Sequence, residues 1–315
     1  MARYALKTFV TSIPTLLILV FIVVALVRLI PGSTADAMLA DSDASAEDTE
    51  RLREQLGLDR SIAHQYVAYL QNIADGSLGY SLYDGRPVRE FIQGRIFPTA
   101  QLTVLALTLS SVLGIAIGTV SAVKRNSILD YVLRLSVNTS LGIPNFVVAT
   151  VVVLLPAYYW GWSPPLNYVR FSEDPVRNLI FFITPVLSLG TGMAASVARV
   201  TRTSTLEVLH LDYVRTARAK GLGEKTVVFR HVLRNSLLPV LTLIGLQVAA
   251  LISGVVIVEA VFSIPGLGTL LIERIRNRDY PVVQGITLIT GMAVIVINLV
   301  VELLYGFLNP RLRAR

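Results

Sequence analysis

The residues whose types and order suit directed chemistry lie together from Asp212 to Gly221, DYVRTARAKG, and that chemistry is charge-guided docking rather than bond making. Asp212 opens the run, Arg215, Arg218 and Lys220 follow, and Gly221 closes it. The pattern predicts a two-turn helix from Tyr213 to Lys220, with Asp212 as its N-cap and Gly221 in the left-handed conformation that ends it. Three- and four-residue spacing places Tyr213, Ala217 and Lys220 on one side and Arg215 and Ala219 on another, with Thr216 in the same run. A helix this short is not stable alone, so the rest of the chain or a partner must hold it.

Other chemistries lack their residues. No G-x-x-x-x-G-K-[ST] stretch is present to cradle nucleotide phosphates, so any ATP-driven work must come from another subunit. There is no H-E-x-x-H motif and no arguable Ser/His/Asp set, which leaves an intramembrane hydrolase, the alternative from a different class, without catalytic groups. A channel would need a selectivity-filter sequence, and none is seen. Cysteine is absent, and His64, His210 and His231 are too scattered to form a ligand motif, so no metal site is expected.

The elements around the run are those of a membrane protein. The 315 residues are 53% hydrophobic and 16% charged, and hydropathy marks six candidate spans: 8–30, 98–123, 132–159, 179–200, 237–262 and 283–308. The first is too long for a signal-peptide core and has no A-x-A site after it, so it reads as a retained anchor. With both termini in the cytoplasm, the inner segments collect 15 Lys and Arg, whereas the short outer loops hold 5, at 170, 177, 274, 276 and 278. This topology accounts for most of the net charge of +7 without a nucleic-acid partner. Residues 31–97, with 11 acidic and 6 basic side chains, form an outer subdomain for which helical spacing predicts short helices at 48–56 and 63–73.

The expected domains are therefore an N-terminal transmembrane helix (1–30), the outer subdomain (31–97), a five-helix core (98–308) containing the cytoplasmic loop 201–238, and a cytoplasmic tail (309–315). Gly114 and Gly118 form a small-xxx-small pattern suited to close helix packing. Gly142, Pro144 and Pro185 are expected to kink spans three and four. Polar groups in lipid are costly, so Gln247, Ser253 and Glu259 in span five are candidates for a translocation path. Glu259 and Glu302 both lie near span ends, where headgroups or a neighbouring subunit would satisfy them.

Asp212 to Gly221, followed by Arg230-His231-Val232-Leu233-Arg234-Asn235 and Leu238-Pro239, resembles the cytoplasmic signature of permease subunits of bacterial ABC importers. Ala217 and Gly221 match the general Glu-Ala-Ala-x-x-x-Gly pattern. Arg215 and Thr216 depart from it in the manner of the B-type permease of the dipeptide, oligopeptide and nickel branch. Similar to that branch are also Leu29-Ile30-Pro31-Gly32, Leu52 to Asp59, Gln65-Tyr66, Gly76 to Gly79, Gly85 to Val88, Phe262 to Gly268, and Arg278 to Pro281. Ser33 and Ser77 depart from its usual acidic residues.

The resemblance implies an all-α polytopic membrane protein of six transmembrane helices with the type I ABC importer permease fold, in the bacterial inner membrane. It implies that residues 212–221 couple to an ATPase subunit, with His231, Arg234, Asn235 and Pro239 supporting the loop. Pro265, Gly266, Gly268, Asp279, Tyr280 and Pro281 would form outer-gate or binding-protein contacts. The implied partners are a second, non-identical permease, two ATPase subunits carrying ATP and Mg, an extracytoplasmic binding protein and membrane lipid. The implied solute is a di- or oligopeptide; nickel chelates and glutathione are carried by the same architecture, and a sugar or polyamine permease is a further alternative.

Overall fold

The computed structural model describes residues 2–29, 60–165 and 167–308, with side chains over 12–25, 60–165, 167–248, 251 and 254–300. The expected helix at 48–56, the Pro31-Gly32 and Leu52 to Asp59 motifs, Ser33, the tail after 308, and the side chains of Ser253 and Glu302 lie outside these residues.

All the long elements are helical. They are α1 (Ala2–Leu29), α2 (Ile62–Ala74), α3 (Val88–Val123), α4 (Ile128–Gly142), α5 (Asn145–Trp160), α6 (Pro175–Leu209) and α7 (Asp212–Ala219). A helix α8 then opens as a turn at Glu224–Thr226, widens into a π-helical stretch at Val227–Val232 and continues over Leu233–Val261, before α9 (Leu267–Arg276) and α10 (Tyr280–Leu308). Among the described residues, four helices are long and apolar enough to cross a membrane, or five if α4 and α5 count as one span.

The third span differs from the expected kinked helix: α4 and α5 meet at 106°. Pro144 has no amide to donate and pushes Ile143 into an extended conformation (φ −97°, ψ 120°), so the helix stops and restarts. At Pro185 the helix does not stop, and α6 continues through it. The 36-residue α3 and 35-residue α6 also exceed the apolar spans expected from hydropathy. At about 1.5 Å per residue each is over 50 Å long, so both must project beyond a hydrocarbon layer of about 30 Å.

The chain packs as two compact units. One is built on residues 100–264. Its core joins Leu102 and Ala106 of α3, Ala149 of α5, Phe181, Phe182 and Leu189 of α6, and Leu251 and Val255 of α8. Tyr168, Phe181 and Phe182 meet edge to face, the arrangement ring quadrupoles favour. Asp174 accepts the Arg177 amide at 3.0 Å, and Pro175 occupies the first position, which together start α6.

In the same unit, α3 lies against α6 through Gly114 and Gly118. A Cβ built on Gly118 would meet the Ala198 carbonyl oxygen at 2.5 Å, and one on Gly114 would meet Val197 Cβ at 2.5 Å.

The other unit holds residues 2–99 and 265–296. Here Val20 and Val24 of α1 pack with Tyr69 of α2 and Leu288 of α10. Val88 and Ile92 at the start of α3 pack with Leu267 and Leu270 of α9 and with Val282 and Ile286 of α10. Ser61 caps α2 by accepting the His64 amide at 3.3 Å.

Candidate functional site

The run nominated by sequence forms α7, and its end is a Schellman motif. The Gly221 amide donates to the Arg218 carbonyl at 2.9 Å and the Leu222 amide to the Ala217 carbonyl at 3.4 Å, while Gly221 has φ 77°. The start differs from expectation. Leu211 is the N-cap, in an extended conformation with no side-chain cap, and Asp212 is the first helical residue. The Leu211 carbonyl accepts the Val214 and Arg215 amides, which sets the first turn one residue earlier than the sequence suggests. Asp212 therefore acts through its charge near the positive end of the helix dipole and through a 3.5 Å pair with Arg215.

Of the three residues that spacing places on one side, Ala217 is buried together with Val214, and both Tyr213 and Lys220 are exposed. Val214 and Ala217 pack on Val227 and Val232, with Val208 and Leu209 beside them. Burial of a valine side chain is worth ~2 kcal/mol, enough to hold two helical turns that could not persist in water. The missed signal was an apolar pair three residues apart, masked by arginines on either side.

Polar contacts tie α7 to α8. The Tyr213 hydroxyl donates to the His231 carbonyl at 3.1 Å and accepts from Asn235 Nδ2 at 2.7 Å. Asn235 Nδ2 also donates to the His231 carbonyl at 3.3 Å. His231 thus contributes its backbone and Asn235 its amide, whereas the Arg234 side chain is exposed and Pro239 lies within α8. The π-helical turn at Val227–Val232 adds width where Val227 and Val232 receive α7, and such turns recur at functional sites.

Facing outward, Arg218 donates to Glu224 through Nε at 3.1 Å and a terminal nitrogen at 2.6 Å, and this bond raises its pKa above the ordinary arginine value. Glu224 was not nominated, and no short periodicity links it to Arg218. Thr216 donates its hydroxyl to the Asp212 carbonyl at 3.0 Å. Arg215, Ala219 and Lys220 complete an exposed, mainly cationic face, bordered by the exposed apolar side chains Leu211, Leu222 and Phe229.

Two of the path candidates, Gln247 and Glu259, are buried. Glu259 is fully buried and is not without an interaction partner. Gln247 is also buried, and its Nε2 donates to the Met193 carbonyl of α6 at 3.0 Å. Among the described residues, no group of three or more His, Asp or Glu side chains could hold a metal ion.

The outer-loop candidates are largely covered within this chain. Gly266, Gly268, Asp279 and Tyr280 are buried, and Pro265 and Pro281 are half-buried. Asp279 accepts from Ser81 Oγ at 2.6 Å, the Leu82 amide at 3.3 Å and Arg274 at 3.1 Å. Arg274 also reaches Asp84 at 3.0 Å and lies 4.4 Å from the Phe91 ring centroid. These residues fasten α9 and the segment around Ser81 together, as Arg278-Asp279 turns the chain into α10. An Asp279→Asn variant should lose about 1–3 kcal/mol, because Arg274 loses one charge-assisted partner. Chemical denaturation of the purified chain checks this, and an unchanged midpoint would remove Asp279 from that role.

Two family models cover nearly the whole chain. Residues 114–314 match "Binding-protein-dependent transport system inner membrane component", and residues 1–103 match the N-terminal part of such membrane components. The glutathione transport system permease protein GsiC of Pectobacterium atrosepticum is 40% identical over 313 residues, 99% of each chain. GsiC of Escherichia coli (strain K12) is 38% identical over the same extent. A crystal structure of an amino acid ABC transporter with histidines superposes at TM-score 0.54 with 16% identity, covering 69% of this chain and 94% of that one, a likeness of fold. With several membrane-length apolar helices among its described residues and these relatives, the chain is a multi-pass inner-membrane permease. The chain belongs to the inner membrane component family of binding-protein-dependent transport systems and is an ABC importer permease subunit.

Proposed function

We propose that α7 is the element through which separate ATPase subunits drive this permease, and that the solute is a small peptide of the glutathione, dipeptide and oligopeptide class. The mechanical part rests on one observation. A short helix is fixed to α8 through Val214, Ala217 and Tyr213 while its other face presents Asp212, Arg215 and Arg218 to the outside. A helix fixed in this way transmits displacement to α8 better than an unstructured loop does, and a coupling element needs contacts that differ between two states of its driver. ATP and Mg reside on the ATPase subunits, which dock at this face on the cytoplasmic side. A second, non-identical permease completes the path, and an extracytoplasmic binding protein delivers the solute.

The solute class rests on the relatives, whose names specify glutathione transport at 40% and 38% identity over 99% of the chain. Gly221→Val tests the mechanical part. A Cβ there meets nothing within 4 Å, so the cost comes from φ 77° alone, about 1–2 kcal/mol for a branched residue. In proteoliposomes with the ATPase subunits and binding protein, labelled peptide uptake should fall about tenfold or more while ATP hydrolysis persists. Uptake and hydrolysis in the wild-type ratio would defeat the role of α7. In the wild-type system, unlabelled glutathione or dipeptide should compete for uptake and a sugar should not; competition by the sugar alone would reverse the solute assignment.

A further inference from the structure

A cavity of about 180 Å³ opens among α3, α4 and α6, and the reading of solute and coupling leaves it unused. Its polar wall carries Arg134, Asn138, Arg199 and Arg202, while Leu133 and Val137 give it an apolar wall. Arg202 is already balanced, because it grips the buried Asp130 through two bonds of 3.0 Å. Arg134 and Arg199 have no carboxylate partner among the described residues and are exposed; the Arg134 guanidinium lies 5.8 Å from the Tyr131 ring centroid. The site therefore carries about two uncompensated positive charges.

Depth identifies the occupant. Arg134 lies six residues into α4, about 9 Å at 1.5 Å per residue, and Ser121 of the lining lies two residues from the end of α3. The cavity is thus near the end of the helices joined by residues 124–127, where headgroups lie. Beside the cavity-lining residues α4 exposes Tyr131, Val132 and Leu135, the last at 69%, a surface suited to an acyl chain. A free anion would leave that apolar half unused, and a zwitterionic lipid would leave the guanidinium charge unbalanced.

We propose that this cavity seats the headgroup phosphate of an anionic phospholipid, gripped by Arg134 and Arg199, with its acyl chains lying along α4. Basic pockets between transmembrane helices bind acidic headgroups on this principle. The assignment does not depend on which solute is carried.

Native mass spectrometry of the full chain in detergent, alone and with its co-purified subunits, tests it against phosphatidylglycerol, phosphatidylcholine and inorganic phosphate. The chain should retain phosphatidylglycerol over phosphatidylcholine by about tenfold or more. An Arg134→Gln/Arg199→Gln variant should lose that preference, whereas Arg170→Gln/Arg177→Gln, outside the cavity, should keep it. Equal retention of the two lipids would overturn the proposal. So would an unchanged preference in the first variant, displacement of the lipid by millimolar phosphate, or loss of the lipid when the other subunits are present.

Discussion

Replacing Gly118 with leucine should remove the folded chain almost completely. A Cβ at that position would lie 2.5 Å from the Ala198 oxygen, 2.6 Å from Thr201 Cβ and 3.0 Å from the Arg202 nitrogen. Two of those atoms are backbone and cannot rotate aside, so α3 and α6 must separate. Ordinary overpacking costs about 1–3 kcal/mol, and a clash against backbone lies at or beyond the upper end. Separation also forfeits the van der Waals contact that drives helix association where lipid competes equally for apolar surface.

The yield of monodisperse protein after detergent extraction, with its thermal midpoint, measures the effect. Gly118→Ala should fall between wild type and leucine. Val112→Leu, at an exposed position on the same helix, should behave as wild type. A Gly118→Leu protein that melts with the wild type would show that the two helices are not held at this distance.

Asp130→Asn is expected to be nearly as damaging, for an electrostatic reason. The Asp130 carboxylate is fully buried, accepts Arg202 in two bonds, Ser121 Oγ at 2.5 Å and the Asn126 amide at 3.1 Å. Asparagine retains the volume but removes the charge, leaving a guanidinium whose side chain is only 22% exposed without its counter-ion. Breaking one partner of a buried pair costs about 3–5 kcal/mol, and partial exposure of Arg202 places this case near the lower figure. If the loss is the orphaned charge, Asp130→Asn/Arg202→Met should recover much of it, because the mutations act on one interaction. Additive losses in denaturation of the two single variants and the double would assign the damage to packing instead.

The type and approximate position of the long helices were legible because apolar runs of this length have few other solutions in a membrane protein. Gly114 and Gly118 were legible as a packing motif but not as to partner, since Val197 and Ala198 lie some eighty residues away and no local pattern points to them. At the candidate site, Gly221 could be read from its residue type and place after the helix. The inward pair Val214 and Ala217 was obscured because their neighbours Tyr213 and Arg215 drew the face assignment toward polarity. Asp279 misled for the same reason: a charged residue in an outer loop reads as surface, and only Ser81, 198 positions away, reveals that it is a buried fastening.

The break between α4 and α5 sets a boundary condition on what surrounds the chain. At about 1.5 Å per residue, the 15 residues of α4 reach about 22 Å, which falls short of the far side of a hydrocarbon layer of about 30 Å. Ile143, Pro144, Asn145 and Phe146 are exposed there, where one helix leaves carbonyls unsatisfied and the next leaves amides. Oil cannot solvate those dipoles, so bare backbone at this depth is tolerated only against protein or water. The junction between α4 and α5 must therefore face a medium of higher permittivity than the acyl chains: a neighbouring subunit's polar surface or a hydrated conduit.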